Sequence, residues 1–145
     1  MIGAPVIAIV DDDASIRRAL SRLVQARGYA VESFASARDF LDAVPHCRPA
    51  CLVLDVHLNG SGFELQERLA ADGLKIPIIF ITARDDQSTR RRLEKCGVVA
   101  YLWKPVDEQA LLQAIQHAIW PDGDGRATRA RAAGELEGTE SPGTG

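Results

Sequence analysis

Short runs of consecutive apolar residues alternate along the chain with longer stretches in which apolar residues recur at helical spacing. Val6-Ile7-Ala8-Ile9-Val10 is continuous and of strand length, the pattern of a strand buried on both faces. From Ala14 to Arg27 the residues Ile16, Leu20, Leu23 and Val24 fall on one helical face, and Gly28 supplies a C-terminal stop. Tyr29 to Phe34 reads as a shorter, more polar strand. Ser36 followed by Asp39 resembles a capping box for a helix carrying Phe40, Leu41 and Val44, with Pro45 and Pro49 bracketing its exit. Cys51-Leu52-Val53-Leu54 is another buried strand, ending at Asp55, and the next helix turns Phe63, Leu65 and Leu69 inward before closing near Gly73. Ile78 to Ile81 predicts a fourth strand ending at Thr82. A polar helix from Asp86 to Cys96 follows, with Arg90, Arg91 and Arg92 in a row. Val98 to Trp103 is the fifth strand, ending at Lys104-Pro105, and Leu111, Leu112, Ile115 and Ile119 mark the last helix.

Five strand–helix repeats with short connections predict an α/β fold: a five-stranded parallel sheet, doubly wound as (βα)5. Right-handed crossovers place the C-terminal ends of all strands on one edge, where such folds open their ligand crevice. The polar residues that punctuate the apolar runs all fall there: Asp11 and Asp12 after strand one, Asp55 after strand three, Thr82 after strand four and Lys104 after strand five.

Composition narrows the function classes. A chain of 145 residues leaves room for one core, assigned here to residues 1–120. Residues 121–145 are rich in Gly, Arg, Ala, Thr and Glu without apolar periodicity, and are expected to form a disordered tail. The formal charge of −3 offers no global basic field for nucleic acid or membrane, and no apolar stretch approaches spanning length. The N-terminus lacks the basic region of a signal peptide. Cys47, Cys51 and Cys96 lack ligand-like clustering, and Cys51 reads as a small buried hydrophobe. A reducing, cytoplasmic setting is expected.

Carboxylates converging at a strand edge repel one another and are tolerated when a hard cation neutralises them, and an all-oxygen set suits Mg²⁺. Asp55, at the end of a buried strand, is held rigidly enough to serve as a nucleophile toward phosphorus. Lys104 and Thr82 can pair with phosphoryl oxygens, so the set suffices for phosphoryl transfer by positioning and charge neutralisation. Asp13 is better read as the cap of the first helix.

Val10-Asp11-Asp12-Asp13, Leu52-Val53-Leu54-Asp55-Val56, Ile81-Thr82-Ala83 and Lys104-Pro105, with Arg17-Arg18 and Gly62-Phe63-Glu64-Leu65, closely resemble the motifs of two-component response-regulator receiver domains, above all those joined to LuxR-type DNA-binding domains. The resemblance covers about residues 5 to 120 and implies the flavodoxin-like receiver fold. It implies that Asp55 is the phosphoacceptor, supplied by a sensor histidine kinase, a phosphotransfer protein or a small phosphodonor. Asp11, Asp12, Asp55 and the backbone carbonyl of His57 would bind Mg²⁺, while Thr82 and Lys104 would contact the phosphoryl group. Tyr101 would be the switch aromatic that follows Thr82, and Lys104-Pro105 the family's cis peptide. His57 and Arg84 hold positions that tune phosphoryl lifetime in the family; the His57 side chain is equally readable as a solvated residue. Tyr101 and Trp103, on one side of the last strand, form the expected partner surface. A downstream protein and a second copy of the chain, in a phosphorylation-dependent homodimer, are the other partners implied.

Two features depart from the family pattern: the loop after Asp55, and Trp103, which is bulky for an edge strand just before Lys104. The loop after Asp55 is one residue shorter and has Asn59 where proline is usual, which bears on metal affinity and phosphorylation rate. Residues 121–145 lack the apolar periodicity of a helix-turn-helix, so direct nucleic-acid binding is not expected. Three other readings compete: a truncated transcription regulator, a pseudo-receiver that works without phosphorylation, and a haloacid-dehalogenase-type phosphatase. The phosphatase would need an acid two residues after its nucleophile, where this chain has His57.

Overall fold

The computed structural model describes residues 4–58, 61–83, 86–96 and 98–120. Ten elements alternate: β1 (Val6–Val10), α1 (Ala14–Gln25), β2 (Ala30–Phe34), α2 (Ala37–Ala43), β3 (Cys51–Asp55), α3 (Gly62–Ala71), β4 (Ile78–Thr82), α4 (Gln87–Lys95), β5 (Ala100–Trp103) and α5 (Glu108–Ile119). The strands form one parallel sheet in the order β2-β1-β3-β4-β5. The chain order thus reverses direction at β1, whose neighbours are β2 and β3. That switch point lies between the strands ending in Asp11 and Asp55, where open α/β sheets part to admit a ligand.

Alternation along each strand builds two cores. Ala8, Val10, Leu52, Leu54, Ile78 and Phe80 face Phe40, Leu65, Leu69 and Leu93 of α2, α3 and α4. Ile7, Ile9, Val53, Ile79, Ile81 and Leu102 face Leu20 and Val24 of α1 and Leu111 and Ile115 of α5. Both faces are covered, which is why β1, β3 and β4 read as continuous apolar runs. Each fully buried Leu, Ile or Phe contributes about 1.5–3 kcal/mol. Cys51 belongs to the second core, and burial pushes its thiol up to about 12.

Local signals set the boundaries. Asp13 Oδ1 accepts from the amides of Ser15 and Ile16, the capping role read from sequence. Ser36, Ser61, Asp86 and Asp107 cap α2, α3, α4 and α5 in the same way. Gly28 and Gly73 take φ of 91° and 73°, the left-handed geometry that ends a helix cheaply only at glycine. The expected strands beginning at Tyr29 and Val98 start later, at Ala30 and Ala100. Val98 is buried in the α4-side core, where an apolar side chain is needed without strand pairing. The expected tail at 121–145, and Asn59 and Arg84, lie outside the described residues.

Candidate functional site

Asp11 extends β1 by one residue, its N–H donating to Phe34 O at 3.2 Å. Its side chain is fully buried. Oδ1 accepts from the Asp13 amide at 2.9 Å, and the Asp11 carbonyl accepts from Arg17 Nη1 at 2.6 Å. Asp55, the last residue of β3, is 4% exposed, and its Oδ1 accepts from the His57 amide at 3.0 Å. Both aspartates are therefore fixed by backbone donors through one oxygen, leaving the other turned toward the sheet edge.

Those second oxygens share one cation. Lys104 Nζ is 3.2 Å from Asp11 Oδ2 and 3.4 Å from Asp55 Oδ2. The contact to Asp11 lacks hydrogen-bond alignment, so Asp11 Oδ2 is a buried carboxylate oxygen with an ion-pair partner and no hydrogen bond. Lys104 is itself held by its amide, which donates to Thr82 O at 2.8 Å, and its bond to Pro105 is cis, as the resemblance implied. Thr82 closes β4, fully buried, opposite Trp103 in the register.

Asp12 is exposed, yet one carboxylate oxygen each from Asp11, Asp12 and Asp55 fall within 4.8 Å of one another. It is the one such group among the described residues. Burial raises the Asp11 carboxyl above its ordinary value, reinforced by the Asp55 charge and opposed by the Asp13 amide and Lys104. For Lys104, burial pulls downward, but the charges of Asp55 and Asp11 outweigh it and the ammonium is held above its ordinary value. Three carboxylates against one ammonium leave an excess of negative charge, and the unsatisfied Asp11 oxygen lies within it. The donor set fits a hard divalent cation.

Every residue expected at the strand ends is brought to this edge: Asp11, Asp12, Asp55, Thr82 and Lys104. His57 is exposed, in the turn after Asp55, with its amide on Asp55 Oδ1. Tyr101 and Trp103 share the α4 side of β5, both half-buried, with ring centroids 5.9 Å apart in a T-shaped pair. Arg90 of α4 lies 5.5 Å above the Trp103 ring.

Three contacts were not read from the sequence. Arg17, in the first turn of α1, reaches back to the Asp11 carbonyl. Arg92 stacks 4.2 Å over Phe63 and pairs with Glu67 at 3.6 Å, so the arginine row is a latch between α4 and α3 as well as a solvated face. Gly62 begins α3 directly against β3, where a side-chain carbon would overlap the Asp55 carbonyl oxygen and lie 3.1 Å from Val56 Cα.

The family model for the response regulator receiver domain matches residues 7–116. The chain is 41% identical over 117 residues to the transcriptional regulatory protein TdiR of Thauera aromatica, an alignment covering 80% of this chain and 52% of that protein. It thus spans about half the length of the curated relatives it matches. The response regulator StyR superposes with a TM-score of 0.73 at 42% identity, over 88% of this chain and 65% of that one. The Vibrio cholerae chemotaxis protein CheY4 superposes with a TM-score of 0.73 at 26% identity, over 80% of this chain and 99% of that one.

Proposed function

The chain belongs to the response regulator receiver domain family, and from that premise we propose that it is a phosphorylation switch in which Asp55 accepts the phosphoryl group. One observation carries the proposal: Lys104 Nζ bridges Asp11 and Asp55 at 3.2 and 3.4 Å beside a third carboxylate, at the switch point of the sheet.

The chain's own groups divide the work. A carboxylate oxygen of Asp55 attacks phosphorus, the new O–P bond forming as the P–N bond of a phosphohistidine donor breaks. The bonding pair goes to the imidazole. The His57 amide fixes the Asp55 rotamer during the attack. Lys104, already between the two aspartates, would follow the developing negative charge, and Thr82 would donate to the same oxygens. Asp11, Asp12 and Asp55, with the His57 carbonyl, would hold Mg²⁺. When bound, that ion neutralises the carboxylates and the incoming phosphoryl oxygens.

Residues 1–120 would act as the receiver unit, a reading supported by the family match ending at 116 and by α5 ending at Ile119. Phosphorylation would bias a two-state domain through Thr82 and Tyr101, and the face bearing Tyr101 and Trp103 would carry the signal. The proposed partners are a sensor histidine kinase or phosphotransfer protein, a downstream protein and a second copy of the chain in a phosphorylation-dependent homodimer. The setting would be cytoplasmic; no helix among the described residues is long and apolar enough to cross a membrane.

The test is incubation with Mg²⁺ and a small phosphodonor, followed by assay for an acid-stable, base-labile phosphoryl adduct. The adduct should form in the native chain and be absent in Asp55→Asn. No adduct would support a phosphorylation-independent role, and sustained turnover of phosphoesters would support a phosphatase.

A further inference from the structure

A groove of about 390 Å³ runs between α1 and the edge strand β2. Arg17, Arg18, Ser21, Arg22 and Gln25 line it from the helix, and Ser33 from the strand. Its polar groups are three guanidinium groups, two hydroxyls and an amide, with no carboxylate among the described lining residues. Arg18 and Arg22 are exposed and form no salt bridge with any described residue, in a chain that carries a net negative charge. Arg17 is committed to the Asp11 carbonyl through Nη1, which fixes its guanidinium at the wall.

We infer that this groove is a binding site for a small anion carrying two or more linked phosphate groups. Arg18 and Arg22 are one helical turn apart, about 6 Å along the axis, a spacing that offers each of two linked phosphates its own guanidinium. A diphosphate or longer chain spans that distance and presents the oxygen pairs that a guanidinium binds in bidentate fashion. Ser21 lies between them on the helix and adds a neutral donor. No aromatic residue is among the described lining residues, so among them a nucleobase finds no stacking surface and recognition rests on the phosphates. The inference is independent of phosphorylation at Asp55.

The probes are inorganic pyrophosphate and tripolyphosphate, titrated into the full chain with a chelator present and read by calorimetry and amide NMR shifts. Saturable binding is expected, with shifts concentrated in α1 and β2. Arg18→Gln and Arg22→Gln should each weaken it about tenfold, the loss of a charge-assisted contact. Arg18→Lys, which keeps the charge but loses the fork, should fall in between. Arg68→Gln, an exposed arginine elsewhere that pairs with Asp72, should bind as the native chain does. Absence of saturable binding would overturn the inference, as would equal weakening by Arg68→Gln. Orthophosphate binding as tightly as pyrophosphate would overturn the two-phosphate requirement, and ATP binding in preference to tripolyphosphate would overturn recognition through phosphate alone. Shifts in α1 amides produced by Glu135→Gln and Glu137→Gln without any ligand would make the chain's own acidic segment the occupant, against the inference.

Discussion

Replacing Asp11 with asparagine should make the metal-free protein more stable at neutral pH while removing a ligand its proposed function needs. Asparagine keeps the acceptor for the Asp13 amide, 2.9 Å away, so the turn into α1 survives. What changes is charge. At an effective dielectric of ~20, carboxylate oxygens 4.8 Å apart, the outer limit for Asp11 and Asp55, repel by about 3.5 kcal/mol. The Lys104 contact at 3.2 Å attracts by about 5 kcal/mol on the same scale. The attraction exceeds the repulsion by about 1.5 kcal/mol, and the cost of burying the Asp11 charge, with the water-screened repulsion of Asp12, outweighs that margin and puts the expected gain at ~1 kcal/mol. Lys104 keeps Asp55 as a partner. The sign with pH follows from the raised Asp11 carboxyl. Between its ordinary value and its folded value the native state binds more protons than the unfolded state, so native stability falls as pH rises through that window. The advantage of the asparagine variant should therefore be absent below the ordinary carboxylate value, grow through the window and hold at neutral pH. Urea unfolding in chelator across this range measures it. In excess Mg²⁺ the order should narrow or reverse, because a ligand at ten times its Kd adds about 1.4 kcal/mol to the native chain. An asparagine variant less stable than the native chain at neutral pH in chelator would mean that the Asp11 charge is no net cost to the metal-free fold.

Gly62→Ala should destabilise by about 1–3 kcal/mol, because its methyl overlaps the Asp55 carbonyl; urea unfolding gives the loss, and phosphorylation should slow because the acceptor strand end must move. Asp13→Ala should cost about 1 kcal/mol through loss of the α1 cap, with the phosphorylation rate unchanged, as its carboxylate serves the Ser15 and Ile16 amides. Cys51, fully buried with its thiol pushed up to about 12, should resist a thiol reagent under native conditions while Cys47 reacts; mass mapping of labelled peptides checks this.

The fold was legible because parallel strands covered on both faces leave unbroken apolar runs, and β1, β3 and β4 are five residues each with hardly a polar side chain before the edge. The strand ends bearing Asp11, Asp55, Thr82 and Lys104 followed from topology, since five parallel strands deliver their last residues to one side. The edges were harder to read. β2 is half solvated and β5 has four residues, so where pairing begins depends on neighbouring strands. The arginine contacts were not legible at all. That Arg17 would hold a backbone carbonyl, or Arg92 stack on Phe63, depends on how helices dock, and an exposed-looking arginine carries no mark of its partner in the sequence.

Whether Asp55 receives the phosphoryl group is read directly by borohydride reduction of the phosphorylated chain. Borohydride reduces an acyl phosphate to an alcohol, so a phosphoaspartyl residue becomes homoserine, which peptide mass analysis locates. Homoserine is expected at position 55, dependent on both Mg²⁺ and the phosphodonor. Homoserine at Asp11 or Asp12 instead, or none in a chain that carries the phosphoryl label, would contradict phosphorylation at Asp55.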